Sequence, residues 1–149
     1  LMNLEMGYPD KNAEVEILNR FLSDNPITEL GSVCKKQDII DMKKQAKEVY
    51  IHPALIEYIA ELAGATRKLS DVAIGISPRG SIAMVNAAKA YAYVKGRDYV
   101  VPSDIKELSV CVWAHRLVFG TGIVSKDGRA QAVNSAFAQV AVPTEEWTK

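Results

Sequence analysis

The stretch Ser77-Pro78-Arg79-Gly80 is where the residue types and their order first suggest chemistry. Serine is a strong helix N-cap, and proline suits the first helical position, where its missing N–H has no intrahelical acceptor to lose. The pair therefore predicts a helix start that carries Arg79 in its first turn. Such a start presents unpaired N–H groups and a partial positive charge, which together suit a phosphate. An arginine there opposes the helix dipole by a few tenths to about 1 kcal/mol unless an anion sits in front of it. A charge-assisted contact to phosphate returns about 1.5 to 3 kcal/mol. The plainer alternative is an ordinary exposed arginine, or one paired with a local carboxylate such as Asp71.

No second constellation competes. The sequence has no GxxxxGK[ST] loop to cradle phosphates and no apolar strand ending in acidic residues to hold magnesium. Serine, histidine and aspartate do not fall in a triad-like order, and no carboxylate pair or zinc signature stands out. Cys34 and Cys111 are far apart and read as reduced thiols, and His52 and His115 are isolated, so no metal site is expected.

The elements that must position Arg79 follow from periodicity and punctuation. Asp10 can cap a helix from about Lys11 to Ser23, with Val15, Leu18 and Leu22 on one face and Ile17 and Phe21 beside them. After the Asn25-Pro26 and Gly31-Ser32 loop, a helix from about Lys36 to Lys47 carries Ile39, Ile40, Met42 and Ala46. Its Lys43, Lys44 and Lys47 lie near Asp38, Asp41 and Glu48 and read as a solvated face. Val49 to Ile51 reads as an extended linker. Pro53 opens a third helix with Ile56, Ile59, Ala60 and Ala63 as its buried stripe, ending at Gly64 or Thr66. Arg67 to Ile76 reads as loop. The helix after Ser77 lines up Ile82, Val85, Ala88 and Ala92 and stops at Gly96. Arg97 to Val101 is extended. Pro102 starts a fifth helix with Asp104 in its first turn and Ile105, Leu108, Val112 and His115 on one face. Val118 to Val124 forms a short strand or hairpin, and Gln131 to Val140 a small final helix. The fold class is all-α, a helical bundle with minor β content near the C-terminal tail.

Composition narrows the function classes. The 149 residues fit one domain and include 18 basic and 18 acidic side chains, for a formal net charge of zero. Nucleic-acid binders usually draw on a basic surface, so the balance argues against one. No apolar run approaches the roughly 20 residues of a spanning helix, and the first residues lack the pattern of a signal peptide.

One ordered set of residues is unusually specific. It runs Ala65-Thr66-Arg67, a short loop, Gly75-Ile76-Ser77-Pro78-Arg79-Gly80, an alanine-rich helix, Gly96-Arg97-Asp98-Tyr99-Val100, Pro102, Asp104 and His115-Arg116-Leu117. The opening Gly7-Tyr8-Pro9 followed by Glu14 and Glu16, and the closing Val140-Ala141-Val142-Pro143, extend it over nearly the whole chain. This set resembles the C-terminal lid domain of MoxR-family AAA+ ATPases, relatives of the magnesium chelatase ATPase subunit. Val101 departs from the pattern, because the family usually has a threonine capping that helix.

The resemblance implies a division into residues 1–10 (end of the ATPase core and hinge), 11–143 (helical AAA+ lid) and 144–149 (tail). It implies that Arg79 is the sensor 2 residue, that Ser77 and Pro78 shape its helix start, and that Tyr8 and Pro9 flank the adenine or pack at the hinge. Arg67 would reach phosphate or a neighbouring subunit, or form a structural salt bridge, the reading preferred here. His115 and Arg116 would close the fifth helix, where positive charge suits the dipole. The implied cofactors are ATP and Mg2+, the metal bound by a Rossmann-like core upstream of Leu1 and not by this chain. That would make the chain an excised piece of a longer, cytoplasmic ATP hydrolase, the alternative being a domain that has lost its core. The implied partners are that core, further copies in a hexameric ring, and client proteins with von Willebrand factor A domains that a chaperone-like action remodels. Nucleic acid and a membrane span are not among them. The competing reading is a free-standing helical protein-interaction or DNA-binding regulatory module without nucleotide. A DNA-reading helix would be rich in arginine, lysine, asparagine and glutamine, whereas the best-formed helices here are rich in alanine.

The chain by itself is expected to release no phosphate from ATP. Turnover above the buffer blank in a phosphate-release assay, on protein freed of contaminating ATPases, would overturn the reading of an incomplete enzyme.

Overall fold

The fold rests on helices whose ends are fixed by local chemistry. In the computed structural model, which describes residues 1–23, 25–120, 122 and 124–143, the helices are α1 Lys11–Ser23, α2 Lys36–Glu48, α3 Pro53–Thr66, α4 Pro78–Val94, α5 Pro102–Trp113 and α6 Lys126–Gln139. Two short strands, β1 Val72–Ile74 and β2 Val118–Phe119, and two 3-10 turns, Pro26–Glu29 and Ala114–Arg116, complete the order. The tail 144–149 named from sequence lies outside the described residues, as do Thr121 and Ile123 within the Val118 to Val124 segment. None of the described helices is long and apolar enough to cross a membrane.

The chain divides into two compact units, Leu4–Asp41 and a larger one of Leu1–Asn3 with Met42–Lys149. In the smaller unit Asp10 caps α1 as its residue type suggests, its Oδ1 accepting from the Ala13 amide at 2.8 Å. At α2 the contact is reversed: Asp38, at the third helical position, accepts through Oδ2 from the amide of Lys35, the residue before the helix, at 2.7 Å. No described residue of this unit is buried. The apolar side chains Val15, Ile17, Leu18, Phe21 and Leu22 of α1 are all exposed.

In the larger unit α4 packs on α5, α6 packs on α3 and α5, and α3 packs on α4, so four helices enclose one core. The sequence pattern placed this core on partly different faces. On α3 the buried residues are Leu55, Tyr58, Ile59, Leu62 and Ala63, whereas Ile56 is 48% exposed. On α4 they are Gly80, Ala83, Met84, Ala87, Ala88 and Ala92, and Ile82 is 62% exposed. Both helices carry more apolar positions than one stripe needs, and packing selected the stripe whose small residues let α4 approach α5. On α5 Ile105, Leu108 and Val112 are buried as expected, but His115 is exposed. There the chain tightens into the Ala114–Arg116 3-10 turn, and the 3.6-residue period no longer applies.

The segment Arg67 to Ile76, expected to be all loop, contains β1. It pairs antiparallel with β2, with Val72 opposite Phe119 and Ile74 opposite Val118. A three-residue strand with a two-residue partner is too short to show a period-2 signature. A single parallel bridge joins Tyr50 to Tyr99. The last helix starts at Lys126, earlier than expected, because Ser125 caps it by accepting from Gly128 N–H at 3.2 Å.

The passage from α4 to α5 is locked at both ends. Gly96, at φ +73°, supplies the left-handed residue that closes α4 in a Schellman motif. Its amide donates to the Tyr93 carbonyl at 2.9 Å, and the Arg97 amide donates to the Ala92 carbonyl at 2.9 Å. Val101 at the α5 N-cap has no side-chain acceptor, so the threonine-type cap is absent. Asp104 supplies the other half of the cap, its Oδ2 accepting from Val101 N–H at 3.0 Å. The same buried carboxylate accepts two bonds from the Arg97 guanidinium, at 2.9 and 2.6 Å. Replacing Arg97 with alanine strands this carboxylate, and we expect a loss of about 2 to 3 kcal/mol of stability. Urea denaturation of the two proteins measures it, and an unchanged midpoint would assign the pair no role in folding.

Candidate functional site

The start of α4 is held from three sides. Ser77, in extended geometry, is its N-cap, with Oγ accepting from Gly80 N–H at 3.4 Å, a long bond. The Ser77 carbonyl also accepts from the Gly80 amide, at 2.8 Å, and Pro78 has no N–H. Among the described residues this leaves the Arg79 amide as the donor of the first turn without a backbone acceptor. Arg79 is exposed, and its guanidinium makes no hydrogen bond or ion pair with any described residue. Asp71, the carboxylate weighed as its partner, instead accepts from the Ser70 hydroxyl at 3.3 Å.

Ile76, fully buried, precedes the cap and is gripped through both of its backbone groups. Its N–H donates to Thr66 Oγ1 at 3.0 Å, and its carbonyl accepts from Arg67 Nε at 2.8 Å. Thr66 in turn donates to the Ala63 carbonyl at 2.7 Å, which makes the end of α3 the anchor. Gly75 lies so close to Arg67 that a Cβ there would stand 2.8 Å from the Arg67 backbone, so no other residue fits without a backbone shift. On the far side, Trp113 is fully buried and its Nε1 donates to the Gly80 carbonyl at 3.0 Å. Arg67 was expected to form a salt bridge; its described partner is a main-chain carbonyl. The two runs Ala65-Thr66-Arg67 and Gly75-Ile76 are thus halves of one clamp.

Beside this start lies a groove of about 390 Å3, lined by Leu1, Arg79, Ile82, Ala83, Asn86 and Arg116. Arg116 enters it from the 3-10 turn after α5. Its Nε donates to the Val112 carbonyl at 2.8 Å, which satisfies a group at the α5 C-terminus, and its Nη2 donates to the Leu1 carbonyl at 3.1 Å. Sequence reasoning gave Arg116 only the helix end. No local pattern signals the groove, because Arg79 and Arg116 lie on different elements. His115 does not share the favourable cation role: partial desolvation and the neighbouring Arg116 charge hold it below the ordinary imidazole value.

The structure brings Ser77, Pro78 and Arg79 together. Tyr8 and Pro9 belong to the Leu4–Asp41 unit, where both are exposed just before Asp10, the cap of α1. No acidic residue lines the groove among the described residues, so these offer no carboxylate to a magnesium ion.

Comparison with known proteins places this geometry. The AAA lid domain family profile matches residues 64–143, which span the clamp, the arginine and α6. The Bacillus subtilis protein YeaC is 36% identical over 97% of the chain, and the chain spans 46% of its length. The Mycobacterium tuberculosis protein named chaperone MoxR1 is 32% identical over 96% of the chain, which spans 40% of its length. The solved structure of a proposed ATPase from Cytophaga hutchinsonii superposes with a TM-score of 0.81 at 27% identity, covering 96% of this chain and 46% of that one.

Thr66→Val keeps the shape of the clamp but removes the acceptor of the buried Ile76 amide, so we expect a loss of about 1 to 3 kcal/mol. Amide hydrogen exchange should show faster opening at Ile76 and Ser77. Protection equal to wild type would mean that the clamp does not hold the helix start.

Proposed function

From the premise that the chain belongs to the AAA lid domain family, in its MoxR-type AAA+ form, we propose that it closes over ATP bound by a P-loop core of the same polypeptide, with Arg79 as the sensor 2 arginine. One observation carries this reading. Among the described residues Arg79 stands unpaired and exposed at a helix start that three other side chains, Thr66, Arg67 and Trp113, hold in place. Anchoring a cation so firmly beside a helix N-terminus costs stability unless an anion completes it.

In the closed state the Arg79 guanidinium would donate to the terminal phosphate, while the amide of the same residue adds a dipole in that direction. ATP supplies the transferable phosphoryl group, and Mg2+ would be held by the core, because the described lining of the groove has no carboxylate for it. An interaction of about 1.5 to 3 kcal/mol that exists only when the lid is closed shifts the open and closed populations by one or two powers of ten. After cleavage the contact weakens and the lid is released. This cycle is how such a domain converts hydrolysis into motion.

The exposed apolar face of α1 supports a core partner, because a soluble surface rarely leaves so many large apolar side chains in sequence order without cover. The chain spans less than half the length of the relatives it matches, which leaves room for such a core in proteins of their kind. The name of the Mycobacterium protein supports a chaperone-like remodelling action. A hexameric ring in the cytoplasm and clients with von Willebrand factor A domains complete the proposal. Residues 1–10 would then be the junction with the core, and 11–143 the lid.

In the complete ATPase, Arg79→Ala is expected to lower kcat for ATP hydrolysis by about one to two powers of ten with the lid still folded. Circular dichroism checks the fold and steady-state phosphate release the rate. Equal turnover in both proteins would remove Arg79 from the mechanism.

A further inference from the structure

We propose that Arg116 is a second polyphosphate-contact residue, and that it and Arg79 form a two-arginine seat along the groove on α4. The proposal rests on the reading of Arg79 given above and extends it to a residue on a different element.

Among the described residues the groove holds two guanidinium groups and no carboxylate. Its remaining polar side chain is Asn86, which is exposed, and Ile82 and Ala83 form its apolar floor. Two cations sharing one groove repel each other, and an anion between them removes that repulsion.

Arg116 is also oriented in advance. Nε is tied to the Val112 carbonyl and Nη2 to the Leu1 carbonyl, while Nη1 has no partner among the described residues. The aliphatic stem lies beside Gly80, close enough that a Cβ built there would stand 3.6 Å from Arg116 Cδ. The side chain is therefore braced against the same first turn that bears Arg79. A guanidinium fixed in this way loses little conformational freedom when it meets an anion.

Arg79 and Arg116 both stand at the first turn of α4, so the ligand must offer acceptor oxygens to two guanidinium groups at once. Linked phosphates carry enough oxygens and negative charge to engage both arginines together, which a single carboxylate does not. The ligand class is thus a polyphosphate, such as the tail of a nucleoside triphosphate.

The test uses the 149-residue chain, labelled with nitrogen-15, titrated with inorganic tripolyphosphate at low salt and monitored by amide and arginine side-chain resonances. We expect a saturable response at the start of α4 and at the Arg116 side chain, with a Kd on the order of millimolar. Arg116→Gln and Arg79→Gln should each weaken binding by roughly threefold to tenfold, and Arg116→Lys should retain part of it. Asn86→Asp leaves the Val112 tie intact, places a carboxylate in the groove and should weaken binding at least as much. It also keeps the test decisive if Arg116→Gln fails to fold.

Sodium chloride at matched ionic strength producing the same shifts would overturn the seat as mere screening. Loss on Arg79→Gln with none on Arg116→Gln or Asn86→Asp would overturn the role of Arg116 and leave that of Arg79 standing. The reverse pattern would keep the groove and sink the Arg79 reading. No saturable response in wild type overturns the two-arginine seat, while Arg79 is still judged by turnover of the complete ATPase.

Discussion

The placement of Arg79 depends on how firmly its helix start is fixed, and the fixing falls on Ile76. Its amide and carbonyl are both taken by α3, through Thr66 and Arg67, immediately before the chain turns into α4. Burial makes these bonds matter, because an unmatched polar group in the interior costs more than a matched one contributes. Trp113 completes the hold by bonding the Gly80 carbonyl from α5. Gly75 and Gly80 serve this arrangement by lacking a side chain. A Cβ at Gly80 would come within 2.7 Å of Ile76 Cγ2, so the residue that is clamped and the turn it feeds are packed against one another.

The charged residues divide into those that build the frame and those that face outward. Asp104 and Arg97 are frame: one carboxylate caps α5, neutralises a guanidinium and ties the end of α4 to the start of the next helix. That arrangement replaces the capping hydroxyl that Val101 lacks. Arg79 and Arg116 face the groove, where no carboxylate of the described residues opposes them. The difference between the two sets is partnership, since an arginine whose charge is matched inside the protein has little left to offer a ligand.

The two units differ in the same sense. The larger has a continuous core built from α3 to α6, with Trp113 and Leu55 fully buried. The smaller, which holds α1 and the first turns of α2, has a side-chain cap on α1 and exposed apolar faces. Good caps stabilise a helix by about 1 kcal/mol each, whereas most helical stability in a protein comes from packing an apolar face. A unit with a cap and no buried described residue leaves its apolar faces open to another surface, and the proposed ATPase core is one such surface.

The amino-acid sequence by itself determined where helices begin and stop. Ser77-Pro78, Pro53, Pro102 and Gly96 act through groups no more than about four residues away, so their effect is written in local order. It also determined that Arg79 would stand in a first turn, and the ordered motifs identified the family. Only the tertiary structure decided which stripe of α3 and α4 is buried, because Ile56 and Leu55, or Ile82 and Met84, are equally apolar and the choice depends on the neighbouring helix. It alone paired β1 with β2, turned Thr66 and Arg67 into a clamp on Ile76, and brought Arg116 into the groove with Arg79. Each of these joins residues distant in sequence, and the energy that selects them is burial and hydrogen bonding across elements, to which local spacing is blind.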